Sequence, residues 1–417
     1  MIKKTPWTWV PSLYFAEGLP YFAVVSISVV LYKNMGMSNA QLAFYTGWLY
    51  LPWVIKPLWS PFVDLLKTKR RWIVGMELLI GAGLAGIAFC IPTHFYVQST
   101  LAFFWLLAFS SATHDIAADG FYMLGLNPKE QSFYVGIRNT FYKISNLFGQ
   151  GVLIYFAGML EKRTGNIPFA WSITFFVIAG LCLAFFLYHY FVLPFPVADK
   201  SNPALSSHSI WKEFVLTFKT FFTKRQAAIA IFFLLTYRLA ESQLLKMTQP
   251  FLLDAHEKGG LGLDTEQLGI IYGIVGTIGL MLGGILGGIL AVKGGLKKWL
   301  WPMMFSMLLS CVPFVYLAYF QPDNWFIVNL CVLLEQFGYG YGFTAYMLFL
   351  MYYSEGEHQT AHYAICTGFM ALGMMLPGMA AGWIQEQLGY RHFFLWVVVC
   401  FLIPILATGL VRKKIIR

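Results

Sequence analysis

Two carboxylates, Asp115 and Asp119, stand four residues apart in ATHDIAADGFYM, directly after the apolar run LAFFWLLAFSS. A spacing of four puts both on one face of a helix, with His114 pointing elsewhere. Acids paired in this way can carry a proton, hold a cation or act as general acid and base. In apolar surroundings such charges are costly, so they face a cavity or pair with opposite charges. The following stretch, QSFYVGIRNTFYKISN, supplies Arg138 and Lys143. Counted from the connecting loop near Asn127, Asp115 lies 12 residues back and Arg138 lies 11 forward. An Asp115–Arg138 ion pair is therefore expected.

Further ionisable residues interrupt other apolar runs. Glu17 sits in YFAEGLPYF beside Gly18 and Pro20, where the first helix is expected to break and offer a proton or substrate site. Arg238 and Glu241 are three apart and expected to pair within one helix, with Lys246 and Gln249 further along. Glu335 and Gln336 precede Tyr339, Tyr341 and Tyr346, a row that can stack on a sugar ring or simply pack. Glu17, Glu241 and Glu335 lack an evident surplus cation and, with Asp119, are the candidate proton carriers. Lys56, Asp64, Arg70 and Arg71 surround one basic loop and are expected to gate or latch that side.

The elements that must position these residues follow from composition. Of 417 residues, 58% are hydrophobic and 12% charged, against about 25% charged in a soluble domain. A membrane span needs about 20 mostly apolar residues. Candidate spans start near Trp7, Asn39, Trp72, Val97, Ser132, Phe169, Ala227, Thr265, Trp299, Asn324, Thr360 and His392. The expectation is an all-α membrane protein of twelve transmembrane helices. They divide into a six-helix bundle over 1–192, a linker over 193–225 and a second six-helix bundle over 226–417. Within the linker, IWKEFVLTFKTFF places Ile210, Phe214, Phe218, Phe221 and Phe222 near one face, as a helix lying on the cytoplasmic membrane surface would.

Orientation follows from the loop charges. With the N-terminus inside, 19 of the 29 Lys and Arg fall in cytoplasmic segments. The outer loops hold only Lys33, Lys162, Arg163, Lys258 and Arg391. Both termini are thus expected in the cytoplasm. The net charge of +10 faces anionic lipid headgroups and needs no nucleic acid. The basic start MIKKTPWTWVPSLYF reads as a retained first helix. The six cysteines lie in or beside spans without metal-type spacing and read as packing residues. No phosphate-binding G-x-x-x-x-G-K-[ST] loop and no H-E-x-x-H occurs. Neither ATP-driven transport nor a membrane-embedded enzyme is the favoured reading, and no metal or cofactor is implied. The partners expected are a small-molecule substrate, protons and the lipid bilayer, with the chain acting as a monomer.

Two basic loops close on a tryptophan that opens the next span: SPFVDLLKTKRRW, Ser60 to Trp72, and GILAVKGGLKKW, Gly288 to Trp299. Two six-span halves related in this way resemble the plan of the major facilitator superfamily. The family's loop signature is matched by Asp64, Arg70 and Arg71, with Ser60 in place of its glycine and Val292 in place of the second copy's acid. EGLPYF, IKPLWSPFVD with KRRW, and SSATHDIAADGFY together resemble the AmpG-type muropeptide permeases. These lie in the peptide–acetyl-CoA–drug transporter branch of that superfamily. The resemblance covers Tyr14 to Gly151. It implies proton-symport import of anhydro-muropeptides across the inner membrane for peptidoglycan recycling, with the family's intramembrane acids at Asp115 and Asp119. Leu124 stands where family members often have a third aspartate, and relatives in the branch carry acetyl-CoA or siderophores. The alternative expectation is therefore another cargo: an acyl-CoA, siderophore, sugar or drug. In this reading Glu17, Asp115, Arg138, Lys143, Arg238, Glu335 and Tyr339 line the cavity.

Overall fold

The computed structural model describes residues 5–197, 199, 207–356 and 358–416, and their side chains except those of 61, 62, 64, 65, 207–214 and 360. Among the described residues every regular element is a helix. The chain begins with α1 (Val10–Phe22), a wide-turn segment Ala23–Ile27 and α2 (Ser28–Asn34). Then come α3 (Asn39–Trp48), α4 (Leu51–Leu66), α5 (Lys69–Cys90), α6 (Tyr96–Gly125) and α7 (Pro128–Asn146). A second wide-turn segment, Leu147–Leu153, leads to α8 (Ile154–Thr164) and α9 (Ile167–Val192). After α10 (Ser207–Phe222) follow α11 (Ala227–Thr236), α12 (Leu239–Leu253), α13 (Thr265–Leu268) and the wide-turn segment Gly269–Gly276. The last helices are α14 (Thr277–Leu309), α15 (Val312–Phe320), α16 (Trp325–Ser354), α17 (Gln359–Val399) and α18 (Leu402–Lys414).

Seven helical runs among the described residues are long and apolar enough to cross a membrane. Two of them, Thr265–Phe320 and Ala361–Lys414, hold 56 and 54 residues, more than twice the roughly 20 one crossing needs. Each is broken at a glycine whose φ only glycine adopts without strain: Gly295 (φ 64°) and Gly389 (φ 70°). Large apolar side chains such as Phe89, Phe326 and Leu402 lie exposed, as lipid-facing side chains do.

The chain forms two compact units, Met1–Leu31 with Leu58–Ile210, and Tyr32–Pro57 with Trp211–Arg417. The division does not follow the halves of the sequence, because α3 packs on α17 and α12. In the first unit α5 packs against α6 and α9, and α1 against α6 and α7. Trp9, Phe121, Tyr14 and Tyr122 interlock edge to face in its core. The first helix is not broken at Gly18–Pro20. It runs on to Phe22 and loosens at Ala23–Ile27, three residues past the proline. Gly18 serves close approach instead, since a Cβ there would meet Ser145 Oγ of α7 at 2.9 Å.

In the second unit the glycine-rich face of α14 lies directly on α16. A Cβ at Gly283 would sit 2.0 Å from the Phe337 carbonyl oxygen, and one at Gly340 would sit 2.3 Å from that of Leu280. Backbones this close are what small residues permit in a membrane bundle. The linker helix is present as α10. Of its predicted apolar face, Ile210 and Phe214 lie outside the described side chains. Phe221 is fully buried against Tyr353, His362 and Phe369, and Phe222 is half exposed.

Candidate functional site

The cap between α6 and α7 sets the site of the first unit. α6 stops at Gly125, and Asn127 starts α7 by accepting from the backbone N–H groups of Lys129 and Glu130 at 3.1 and 3.0 Å. The Glu130 carboxylate accepts in return from the Asn127 N–H at 3.0 Å. This reciprocal cap with Pro128 at the first helical position is a strong start signal. The chain therefore reverses within two residues, which brings Asp119 and Arg138 to similar depth on either side of α1.

There Glu17 of α1 joins Asp115 and Asp119 of α6, with one carboxylate oxygen of each within 4.8 Å of the other two. Glu17 is buried and the two aspartates are half-buried. Arg138 of α7 forms an ion pair with Asp119 at 2.9 Å. Its guanidinium stacks over the Tyr14 and Tyr122 rings at 4.5 and 5.2 Å, and Tyr14 OH donates to Asp119 at 3.3 Å. The ion pair thus falls on Asp119, one helical turn from the Asp115 that depth counting favoured, while Asp115 stays in the same cluster. By distance the three acids could hold a divalent cation, and Arg138 supplies that positive charge instead. Two like charges about 5 Å apart repel by about 3 kcal/mol at an effective dielectric constant near 20, and by less where solvent screens the half-buried aspartates. Lys143 lies further along α7, half-buried, with no carboxylate partner among the described residues.

In the second unit Arg238 stands at the break between α11 and α12. It donates to both oxygens of Glu241 at 2.8 and 3.0 Å and to Tyr339 OH at 3.0 Å. The intrahelical pair expected from their spacing is present, and it engages Glu241 through both oxygens. Glu335 is buried, and its partner is the Gln336 amide at 2.8 Å, which also donates to Tyr272 OH at 3.1 Å. No cation pairs with Glu335 among the described residues. Tyr346 is buried against Tyr237, stacked at 4.9 Å, so the core of that tyrosine row packs.

Of the predicted gate, Lys56 is half-buried in α4, and the Asp64 side chain lies outside the described residues. Arg70 donates to the carbonyls of Leu193 and Tyr190 and covers the Phe195 ring at 4.0 Å, which pins the end of α9. Arg71 is exposed, and its N–H is taken by the Thr68 cap. Asp199 closes the same end of α5 by accepting from the N–H groups of Lys69 and Arg70 at 2.7 and 3.1 Å.

Two polar networks escaped the sequence. Lys33, read above as an outer-loop charge, pairs with Asp254 at 2.7 Å, and Asn39, Gln385 and Tyr390 complete that network. In the first unit, Glu77 of α5 is buried between His189 of α9 at 2.6 Å and His114 of α6 at 3.4 Å, with Ser12 of α1 2.9 Å from His189. Both imidazoles are fully buried. The signal available was Glu77 itself, an acid inside the apolar run GMELLIGAGL. Leaving a buried polar group without its hydrogen-bond partner costs about 1–3 kcal/mol, and Glu77 serves two imidazoles. Glu77→Ala is therefore expected to lower the thermal midpoint of the purified protein sharply, and Glu77→Gln much less. Equal midpoints for Glu77→Ala and wild type would contradict this network.

Residues 12–361 match the family model of the Major Facilitator Superfamily, and the chain belongs to that family. It is a multi-pass protein of the inner membrane, and the family members it resembles are transporters. Within the family it resembles the AmpG-type permeases. It is 23% identical over 393 residues to the anhydromuropeptide permease of Escherichia coli K12, covering 93% of this chain and 75% of that one. Two solved structures share the fold. A bacterial homolog of the human lysosomal transporter Spinster superposes with TM-score 0.71 at 14% identity, over 97% of this chain and 95% of its own. A D-xylose–proton symporter does so with TM-score 0.72 at 14% identity, over 98% and 97%.

Proposed function

We propose that the protein is a proton-coupled importer of anhydro-muropeptides or related sugar-peptides, working by alternating access in peptidoglycan recycling. The observation that carries this reading is the cluster of Glu17, Asp115 and Asp119 held by Arg138. Three carboxylates this close repel one another, and a proton taken up by one of them relieves that repulsion. Proton entry at Glu17 or Asp119 then changes the grip of Arg138, and so couples proton movement to the bundle. Glu335, buried without a cation among the described residues, is the proton-carrier candidate of the second unit. The likeness to the anhydromuropeptide permease supports the cargo.

The same reading takes twelve spans in two six-helix bundles, over 1–192 and 226–417, with both termini cytoplasmic and a monomer as the working unit. Each double-length apolar run then folds back at its glycine break, Gly295 or Gly389. The test of the cargo is uptake of labelled anhydro-muropeptide into proteoliposomes, with acyl-CoA, siderophore and free sugar as competitors. Saturable uptake displaced only by unlabelled muropeptide is expected. Displacement by one of the others instead, or absence of uptake by folded protein, would reassign the cargo.

A further inference from the structure

We propose that Lys246 forms a subsite in the second unit that binds a carboxylate of the transported molecule. The subsite rests on the transporter reading but not on the muropeptide assignment. Lys246 is buried, at 8% exposure. Its Nζ donates to Thr46 Oγ1 at 2.7 Å and lies 5.6 Å from the centre of the Tyr50 ring. Both groups are neutral, and no carboxylate pairs with Lys246 among the described residues. The buried arginine of this unit, Arg238, is matched by Glu241, and the half-buried Lys33 by Asp254. An ammonium carries three donors, and Thr46 uses one.

The surroundings suit an occupant. Ser242, Lys246 and Gln249 are spaced by four and three residues along α12, so they share one face, and all three are buried. Gly378 of α17 stands beside the lysine stem, where even a Cβ would lie 4.0 Å from that of Lys246. A buried, unmatched charge inside a span is a functional position by default. One positive charge balances one carboxylate, whereas a phosphate dianion would leave a net negative charge in the bundle.

The test uses the purified full-length chain in detergent, with N-acetylalanine and its uncharged amide as probes. The acid is expected to raise the thermal midpoint by about 2 °C over the amide. Inorganic phosphate should give no such rise. K246M should lose the difference, and K246R should keep part of it. If K246M does not fold, K246Q, which keeps an N–H for Thr46, takes its place. An acid–amide difference that survives in the neutral variant, a larger effect of phosphate, or no difference in wild type would overturn the proposal. Muropeptide uptake is scored separately. A carboxylate-specific shift without muropeptide uptake keeps the subsite and removes that cargo.

Discussion

Replacing Arg138 with glutamine is expected to abolish gradient-driven uptake while leaving a foldable, less stable protein. The change removes the cation at Asp119 and leaves Glu17, Asp115 and Asp119 within 4.8 Å of one another. The pair is a quarter to a third exposed, so its loss costs less than a fully buried pair. An order of 1–3 kcal/mol in stability lies between the surface and buried limits. The effect on transport is larger, because the arginine also fixes Tyr14 and Tyr122 beneath it. A fall in uptake of roughly a hundredfold corresponds to about 2.8 kcal/mol. Arg138→Lys keeps the charge but loses the planar fork that stacks on both rings, so intermediate uptake is expected. Adding Asp119→Asn to Arg138→Gln removes one of the repelling acids and should recover thermal stability without recovering transport. Full uptake by Arg138→Gln would show that this cluster is structural only.

The second large effect is expected at Gly283. Its missing side chain lets α14 lie on α16 with the Phe337 carbonyl oxygen 2.0 Å from where a Cβ would be. The obstructing atom is backbone, so no rotamer change relieves the clash. Overpacking by a methylene costs about 1–3 kcal/mol where side chains can give way, and here the helices themselves must part. Gly283→Leu should eliminate the monodisperse folded fraction, and Gly283→Ala should reduce it severely. Gly288, five residues on, has no atom within 4 Å of its Cβ position, and Gly288→Leu should fold as wild type does. Size-exclusion profiles of the three variants read this directly. Equal profiles for the Gly283 and Gly288 variants would contradict the interface.

Much of this was legible because a charge in an apolar run is conspicuous. Glu17, Asp115, Asp119 and Arg138 all stood out, and the face that Asp115 and Asp119 share is a local pattern. Depth counting missed the ion pair by one turn. It gives position along the membrane normal but not the direction in which a helix face points, and α1 stands against both α6 and α7. Arg238 and Glu241 were readable because both partners lie on the same local stretch. Glu77 with His114 and His189 was not: its partners lie 37 and 112 residues away. Lys246 with Thr46, 200 residues apart, was hidden for the same reason. Pairing across helices depends on packing, and hydropathy carries no record of it. The glycines of GIIYGIVGTIGLMLGGILGGIL, by contrast, form a local pattern, and the close approach of α14 to α16 accounts for it.

The most direct test compares wild type with Glu17→Gln in proteoliposomes loaded with anhydro-muropeptide. Accumulation under an inward proton gradient is measured beside exchange of labelled for unlabelled cargo without a gradient. The acid cluster as coupling site predicts that wild type accumulates cargo and that Glu17→Gln still exchanges it but no longer accumulates it. Accumulation by Glu17→Gln equal to wild type, or wild-type uptake indifferent to the gradient, would contradict it.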